Sequence, residues 1–308
     1  MRPGLRPEHR ARDEDRGRPV ELVRLRRHQR HARLPALPLT LVDGKPADSI
    51  AVLDRGLAFG DGVFRTILVR GGRPLNWRWH RARLQADGAA LGLAVPAESV
   101  LLSEMAQAAP ADAVVRVIVT RGASTRGYAI PASARPTRIV AAFPPPAYPA
   151  SHAQEGVAVR RCVLVLSAQP RLAGAKTLNR LENVLARSEW DDPAIAEGLL
   201  ADEQGRVVEG TMSNLFVARG GRLATPRLDR CGIVGAQRER VRELAARAGL
   251  ACDEAELRWT ELAHADEMFL TNSLIGIWPV ARFEGRRWTP GAVTCRLQAL
   301  LAEDDARP

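Results

Sequence analysis

Lysine is almost missing from this 308-residue chain: of its 45 Lys and Arg residues, only Lys45 and Lys176 are lysine. Arginine stays protonated at any ordinary pH, whereas a lysine sheds its proton when desolvated and then forms imines. Where arginine has taken over almost every cationic position, a surviving lysine marks a place where arginine does not serve. Lys45 lies in Asp43-Gly44-Lys45-Pro46, a turn sequence, and reads as a solvated surface charge. Lys176 follows the small residues Ala173-Gly174-Ala175, which admit close approach by another group.

Other absences narrow the class. The four cysteines, Cys162, Cys231, Cys252 and Cys295, form no Cys-x-x-Cys pair, and there are six histidines. That argues against a metal site or a disulfide scaffold and suits a reducing cytoplasm. No apolar run approaches the ~18 residues of a membrane span, so no membrane partner is expected. There is no Gly-x-Gly-x-x-Gly fingerprint and no internal repeat. With 46% hydrophobic and 26% charged residues the composition is that of an ordinary globular chain.

The net charge of +10 is unevenly placed. Residues 1–38 carry eleven Arg against five acidic residues, without one aromatic side chain to stack on bases, so +6 of the total lies there. We expect that stretch to be a disordered basic leader, with no apolar core that would make it a secretory signal. A basic nucleic-acid-binding module is the competing reading, and the modest charge of the remaining chain speaks against it.

Globular sequence begins near Leu39. Leu39–Val42 and Ser49–Val52 read as a hairpin around Asp43-Gly44. Strands are expected at 62–70, 113–120, 137–143 and 157–166, and helices at about 79–91, closed by Gly92, and 97–109, closed by Pro110. Leu178, Leu181, Val184 and Leu185 are spaced for one helical face. Two hairpins turn at Gln204-Gly205 and Gly220-Gly221, a helix follows at about 235–248, and strands lie near 267–271 and 275–281. Strands and helices mix without alternation, which predicts an α+β fold. Pro144-Pro145-Pro146 and Pro149 mark a stiff connection between a small α/β N-terminal domain, 39–146, and a larger C-terminal domain, 150–302.

Several further residues stand out. Glu209 closes a strand in Val207-Val208-Glu209-Gly210, where a buried carboxylate needs a cationic partner such as a protonated pyridine nitrogen. Gly232-Ile233-Val234-Gly235-Ala236-Gln237 opens a helix whose free N–H groups suit a phosphate. Thr271-Asn272-Ser273 adds hydroxyl and amide donors, and Arg83 in His80-Arg81-Ala82-Arg83-Leu84 is a candidate phosphate clamp. Arg121, Arg126 and Tyr128 share a Gly-containing loop that suits an anionic, ring-bearing substrate. Taken one at a time, each of these also has a plain structural explanation.

In this order the pieces resemble the fold-type IV pyridoxal-phosphate enzymes, which include branched-chain and D-amino-acid aminotransferases. The stretches that carry the resemblance are 54–66, 121–128, Lys176 to Glu182 and Glu209 to Phe216, within about residues 39–300. The Lys176-x-Leu178-Asn179-Arg180-Leu181-Glu182 run and the Arg126-Gly127-Tyr128 loop are those of its lyase branch. The resemblance implies two domains with the site between them, a homodimer, and pyridoxal 5'-phosphate as cofactor, with no metal. Lys176 would attach the cofactor covalently and Glu209 would pair with its ring nitrogen. Arg83, the N–H groups of Ala236 and Gln237, and Asn272 with Ser273 would hold its phosphate. Arg121, Arg126 and Tyr128 would face the substrate, and Lys176 or Thr66 would supply the proton to the departing group. The implied reaction turns 4-amino-4-deoxychorismate into 4-aminobenzoate and pyruvate, a step of folate synthesis. An aminotransferase acting on branched-chain or D-amino acids is the alternative.

Overall fold

The computed structural model describes residues 39–306, and the stretch 1–38 lies outside them. Two sheets organise the chain. The first has six strands, β1 (Thr40–Val42), β2 (Lys45–Pro46), β3 (Gly62–Arg70), β4 (Arg73–Pro74), β5 (Ala113–Thr120) and β6 (Thr137–Phe143), in the order β2-β1-β6-β5-β3-β4. All its pairings are antiparallel. A short helix α1 (Arg55–Phe59) precedes β3, and α2 (Trp77–Leu91) and α3 (Glu98–Ala108) lie between β4 and β5. Along β3 the residues Val63, Arg65, Ile67 and Val69 are buried and alternate with half-buried Phe64, Thr66 and Leu68, the period-2 pattern of a strand with one covered face. Ile67, Val69, Val115 and Val117 form one core with Leu84 of α2 and Leu101 and Met105 of α3.

The second half holds α4 (Ser151–Gln154), β7 (Val157–Leu166), α5 (Leu181–Arg187), β8 (Ile195–Asp202), β9 (Arg206–Gly210), β10 (Asn214–Arg219) and β11 (Arg222–Pro226). Next come α6 (Ala236–Arg247), β12 (Cys252–Ala255), β13 (Leu257–Arg258), α7 (Trp259–Leu262), β14 (Glu267–Asn272), β15 (Gly276–Phe283), β16 (Arg286–Arg287) and α8 (Ala292–Asp305). The strands form one mixed sheet, β12-β11-β10-β14-β15-β7-β8-β9-β13, with β16 beside β15. The pairs β15–β7, β7–β8 and β11–β12 are parallel. Phe216 and Phe269 face each other across β10 and β14 with stacked rings 4.9 Å apart. Val241 and Leu244 of α6 and Leu297 and Leu301 of α8 cover them, each contributing about 1.5–3 kcal/mol of burial. Among the described residues no helix is long and apolar enough to cross a membrane.

Three expectations need correction. The first hairpin does turn at Asp43-Gly44, both with positive φ. Its return strand, however, is only Lys45–Pro46, and 49–52 is irregular with Val52 exposed; proline offers no N–H to continue a ladder. The helix expected around Leu178 starts at Leu181, and its apolar side chains Leu181, Val184 and Leu185 are exposed rather than packed inward. α8 has no counterpart among the expected elements.

One buried ion pair ties β3 to α2. Arg65 Nε donates to Asp87 Oδ2 at 2.8 Å, Arg65 Nη2 donates to the same oxygen, and Asp87 is wholly buried. Removing one partner leaves an uncompensated buried charge. Asp87→Ala is therefore expected to lower the unfolding free energy by about 3–5 kcal/mol in urea denaturation. A loss below about 1 kcal/mol would mean that the pair is solvated.

Candidate active site

Lys176 sits on an irregular segment that main-chain hydrogen bonds hold on both flanks. The Phe64 N–H of β3 donates to the Lys176 carbonyl at 3.0 Å, and the Leu178 N–H donates to the Gly62 carbonyl at 3.0 Å. On the other flank Gly174 N–H donates to the Gly232 carbonyl, and Val234 N–H donates to the Gly174 carbonyl, each at 2.9 Å. The lysine is thus fixed between the first sheet and the turn that opens α6. Its Nζ lies 4.7 Å from the Phe64 ring centroid, and among the described residues no carboxylate forms a salt bridge with it. Burial pushes the Lys176 pKa down to about 8, helped by the Arg65 and Arg180 charges and opposed by Glu209.

Glu209 is buried at the end of β9, and its Oε2 accepts the Ile233 N–H at 2.9 Å. Burial raises its pKa; the Ile233 N–H, Arg180 and Lys176 work the other way. Asn214 brackets the next turn: its Nδ2 donates to the Ile233 carbonyl at 2.8 Å and its Oδ1 accepts the Gly235 N–H at 3.0 Å. Gly232 has φ +82°, and a Cβ there would sit 2.5 Å from Val208 Cγ1, so only glycine lets this turn lie against β9. α6 then starts at Ala236 without a side-chain cap, and Ala236 and Gln237 of its first turn, whose N–H groups have no partner within the helix, line the cavity.

These groups meet in one cavity of about 290 Å³. Lys176, Glu209, Thr66, Ala236, Gln237, Asn272 and Ser273 all line it. Not every expected contact is free. The Asn272 amide donates to the Met212 carbonyl and accepts the Leu274 and Ile275 N–H groups, so it serves its own turn. The Gln237 side chain accepts from Asn76 Nδ2 at 3.0 Å, leaving its backbone as the ligand group.

Four arginine and tyrosine assignments do not reach the cavity. Arg83 donates to the Gly174 carbonyl at 3.2 Å and pairs with Asp87, which draws it behind the lysine segment into a shallow groove between α2 and α6. Arg121 is buried against Asp61, and its remaining donors bond the Leu91 and Gly92 carbonyls. Its guanidinium is a structural tie. Arg126 and Tyr128 lie on an exposed loop, with the Tyr128 ring against Phe59. Arg55 holds that loop by donating to the carbonyls of Gly127, Tyr128 and Ala129.

Residues not singled out from the sequence line the cavity instead. Arg116 of β5 stands opposite Thr66 in register, over the Phe64 and Phe143 rings, and among the described residues no carboxylate forms a salt bridge with it. His80 of α2 is buried with both ring nitrogens unpartnered. Burial, then the Arg65 and Lys176 charges, push its pKa down to about 3, so it stays neutral. Tyr148, from the proline-rich connection, also lines the cavity and packs edge-on against Trp278. For Arg116 the signal was available: it lies within a strand whose partner carries Thr66.

The architecture is that of a known class. Residues 62–283 match the model of the amino-transferase class IV family, and the chain belongs to that family. It is 32% identical over 266 residues to the aminodeoxychorismate lyase of Vibrio harveyi, covering 84% of this chain and 98% of that protein. The crystal structure of 4-amino-4-deoxychorismate lyase from Pseudomonas aeruginosa superposes with a TM-score of 0.83 at 46% identity, over 86% of this chain and 99% of that one. A D-alanine aminotransferase from Bacillus licheniformis is 28% identical over 82% of the chain and 90% of its own length. The α+β fold is that of fold-type IV enzymes.

With Lys45→Arg leaving a single lysine, amine arylation read by peptide mapping at the Lys176 peptide reports Lys176 apart from the α-amino group, which itself titrates at about 8. In the cofactor-free protein the Lys176 rate against pH is expected to show a midpoint near 8. Glu209→Gln removes the charge that holds the ammonium, so the midpoint should fall further. A midpoint above that of free lysine, about 10.4, would contradict the geometry.

Proposed function

We propose that this chain is a pyridoxal 5'-phosphate-dependent lyase that converts 4-amino-4-deoxychorismate to 4-aminobenzoate and pyruvate. The observation that carries this reading is Lys176 and Glu209 on one cavity beside the open N-terminus of α6, in a chain so similar to two lyases of that name.

The donor set fits the cofactor group by group. Lys176 offers a depressed amine for an aldehyde. Glu209, fixed by the Ile233 N–H, offers a carboxylate for a ring nitrogen. The backbone N–H groups of Ala236 and Gln237, with the Ser273 hydroxyl, offer donors for a phosphate. The unpartnered nitrogens of buried His80 supply one more donor or acceptor for a bound group. Bound pyridoxal phosphate supplies an electron sink that acidifies the carbon bearing the substrate amine.

The residues then divide the work. Lys176, neutral once released, takes the proton from the amine-bearing ring carbon at its Nζ. Glu209 holds the ring nitrogen protonated. The C–O bond to the enolpyruvyl group breaks, the ring becomes aromatic, and no oxidant or reductant enters the balance. The Lys176 ammonium, with the Thr66 side chain lining the same cavity, returns the proton to the departing group. Arg116 offers an open cation to a substrate carboxylate. Arg126 and Tyr128 lie away from this cavity, on a preformed loop available to a second subunit.

The same reading includes a homodimer. Leu53, Leu57, Tyr128 and Ile130 around α1 are exposed, as are Leu181, Val184 and Leu185 on α5. Asn179 Nδ2 donates to the Gly60 carbonyl, which joins the two regions. Contiguous exposed apolar surface of this kind marks a protein interface. The four cysteine thiols are free, which suits the cytoplasm.

Purified protein supplied with 4-amino-4-deoxychorismate and no keto acid should release 4-aminobenzoate and pyruvate in equal amounts. Lys176→Ala should abolish both the release and the visible absorption of the bound cofactor. Glutamate formed from 2-oxoglutarate with D-alanine or leucine, with no 4-aminobenzoate from the first mixture, would replace the lyase by an aminotransferase. In light scattering the wild-type mass should be twice that of one chain, and Val184→Glu with Leu185→Glu should reduce it to one.

A further inference from the structure

We propose that Arg180 is an anion-binding residue of the Lys176 cavity, its free guanidinium edge taking an oxygen anion of the bound ring system. The inference rests on that cavity being the ligand site described above.

Arginines inside this protein are paired as a rule. Arg55, Arg65, Arg121, Arg238 and Arg240 are buried, and each has a carboxylate within salt-bridge distance. Arg180 departs from that pattern. It lines the cavity together with Lys176 and Glu209. Its Nη2 donates to Thr177 Oγ1 at 3.1 Å and its Nη1 to Asn183 Oδ1 at 3.3 Å, both neutral acceptors. Its Nε is buried and has no partner. Among the described residues no carboxylate forms a salt bridge with it.

A guanidinium has five N–H donors in a planar fork, and two neutral contacts leave most of them unused. A buried donor without an acceptor costs about 1–3 kcal/mol, so the arrangement is completed by an acceptor from the cavity. Thr177 and Asn183 act as orienting contacts: Asn183 Nδ2 is itself fixed on the Thr211 carbonyl at 3.0 Å. Burial pulls the Arg180 pKa down, and Glu209, Glu182 and Asp87 oppose this without touching the guanidinium. The charge is therefore held in place before any ligand arrives.

Two oxygen anions have the right chemistry, the ring oxygen of the cofactor and a carboxylate of a ring-bearing substrate. Two measurements on the holoenzyme tell them apart without turnover. One is the affinity for benzoate, read by calorimetry. The other is the pH midpoint of the visible band of the bound cofactor. In Arg180→Gln we expect benzoate affinity to fall roughly tenfold, as for loss of a charge-assisted contact, or the midpoint to rise by about one unit, since a nearby cation favours the deprotonated form. A change in benzoate affinity alone assigns the carboxylate, and a change in the midpoint alone assigns the cofactor oxygen. Arg180→Lys keeps the charge but not the fork, so it should hold the midpoint and lose part of the benzoate affinity. The proposal is overturned if Arg180→Gln changes neither quantity, or if Arg180→Gln moves the midpoint and Arg180→Lys moves it just as far. If 4-aminobenzoate is never formed while either measurement still responds, the lyase reading fails and the anion site stands.

Discussion

The half-buried amine of Lys176 is held on the cavity by a segment fixed at both flanks. Its main chain is bonded to β3 on one flank and to the 232–234 turn on the other, so the side chain has no surface position to retreat to. Burial disfavours the ammonium, and Arg65 and Arg180 add like charge, while Glu209 and Asp87 favour it. The proton affinity of one group therefore follows from where two sheets meet. Loosening either flank would let the amine hydrate and return toward ordinary lysine behaviour.

The opposite wall is built with the same economy. Glu209 holds Ile233, Asn214 brackets 233–235, and α6 begins at the next residue. The carboxylate and the helix N-terminus are thus at a separation set by backbone geometry, which suits a ligand with a cationic nitrogen at one end and an anion at the other. Beneath them, buried Glu197 accepts the Thr211 and Met212 N–H groups and the Thr211 and Ser213 hydroxyls. A network satisfied at every acceptor stiffens the wall instead of weakening it. Preorganisation of this kind lets fixed charges act on a reacting group without rearrangement.

Much of this was legible before the fold. The strands at 62–70, 113–120, 137–143 and 157–166 declare themselves through β-branched alternation, and the scarcity of lysine singles out Lys176. What composition hides is the direction of an arginine. Arg83, Arg116, Arg121 and Arg180 are alike in sequence, yet Arg121 is consumed by Asp61 and two carbonyls while Arg116 opens on the cavity. Only the partners decide, and for Arg121 those partners, Gly92, Leu91 and Asp61, lie 29, 30 and 60 residues away. The exposed apolar side of α5 was misleading for a related reason: periodicity marks an apolar helical face, not whether the rest of the chain packs on it. α8 escaped notice because its helix is only weakly amphipathic, with Leu297 and Leu301 as its wholly inward residues apart from Thr294.

The arginine-rich composition follows from the same chemistry. Arg55, Arg65, Arg121, Arg138 and Arg240 act as multidentate ties between distant segments, each matched to a carboxylate or to several carbonyls. That is work for a rigid fork that never deprotonates. At position 176 the same fork would remain charged, demand a buried carboxylate of its own, and have no nitrogen lone pair to attack a carbonyl or accept a proton. A chain that tolerates arginine at nearly every cationic position still needs, at this one, a cation that can cease to be one.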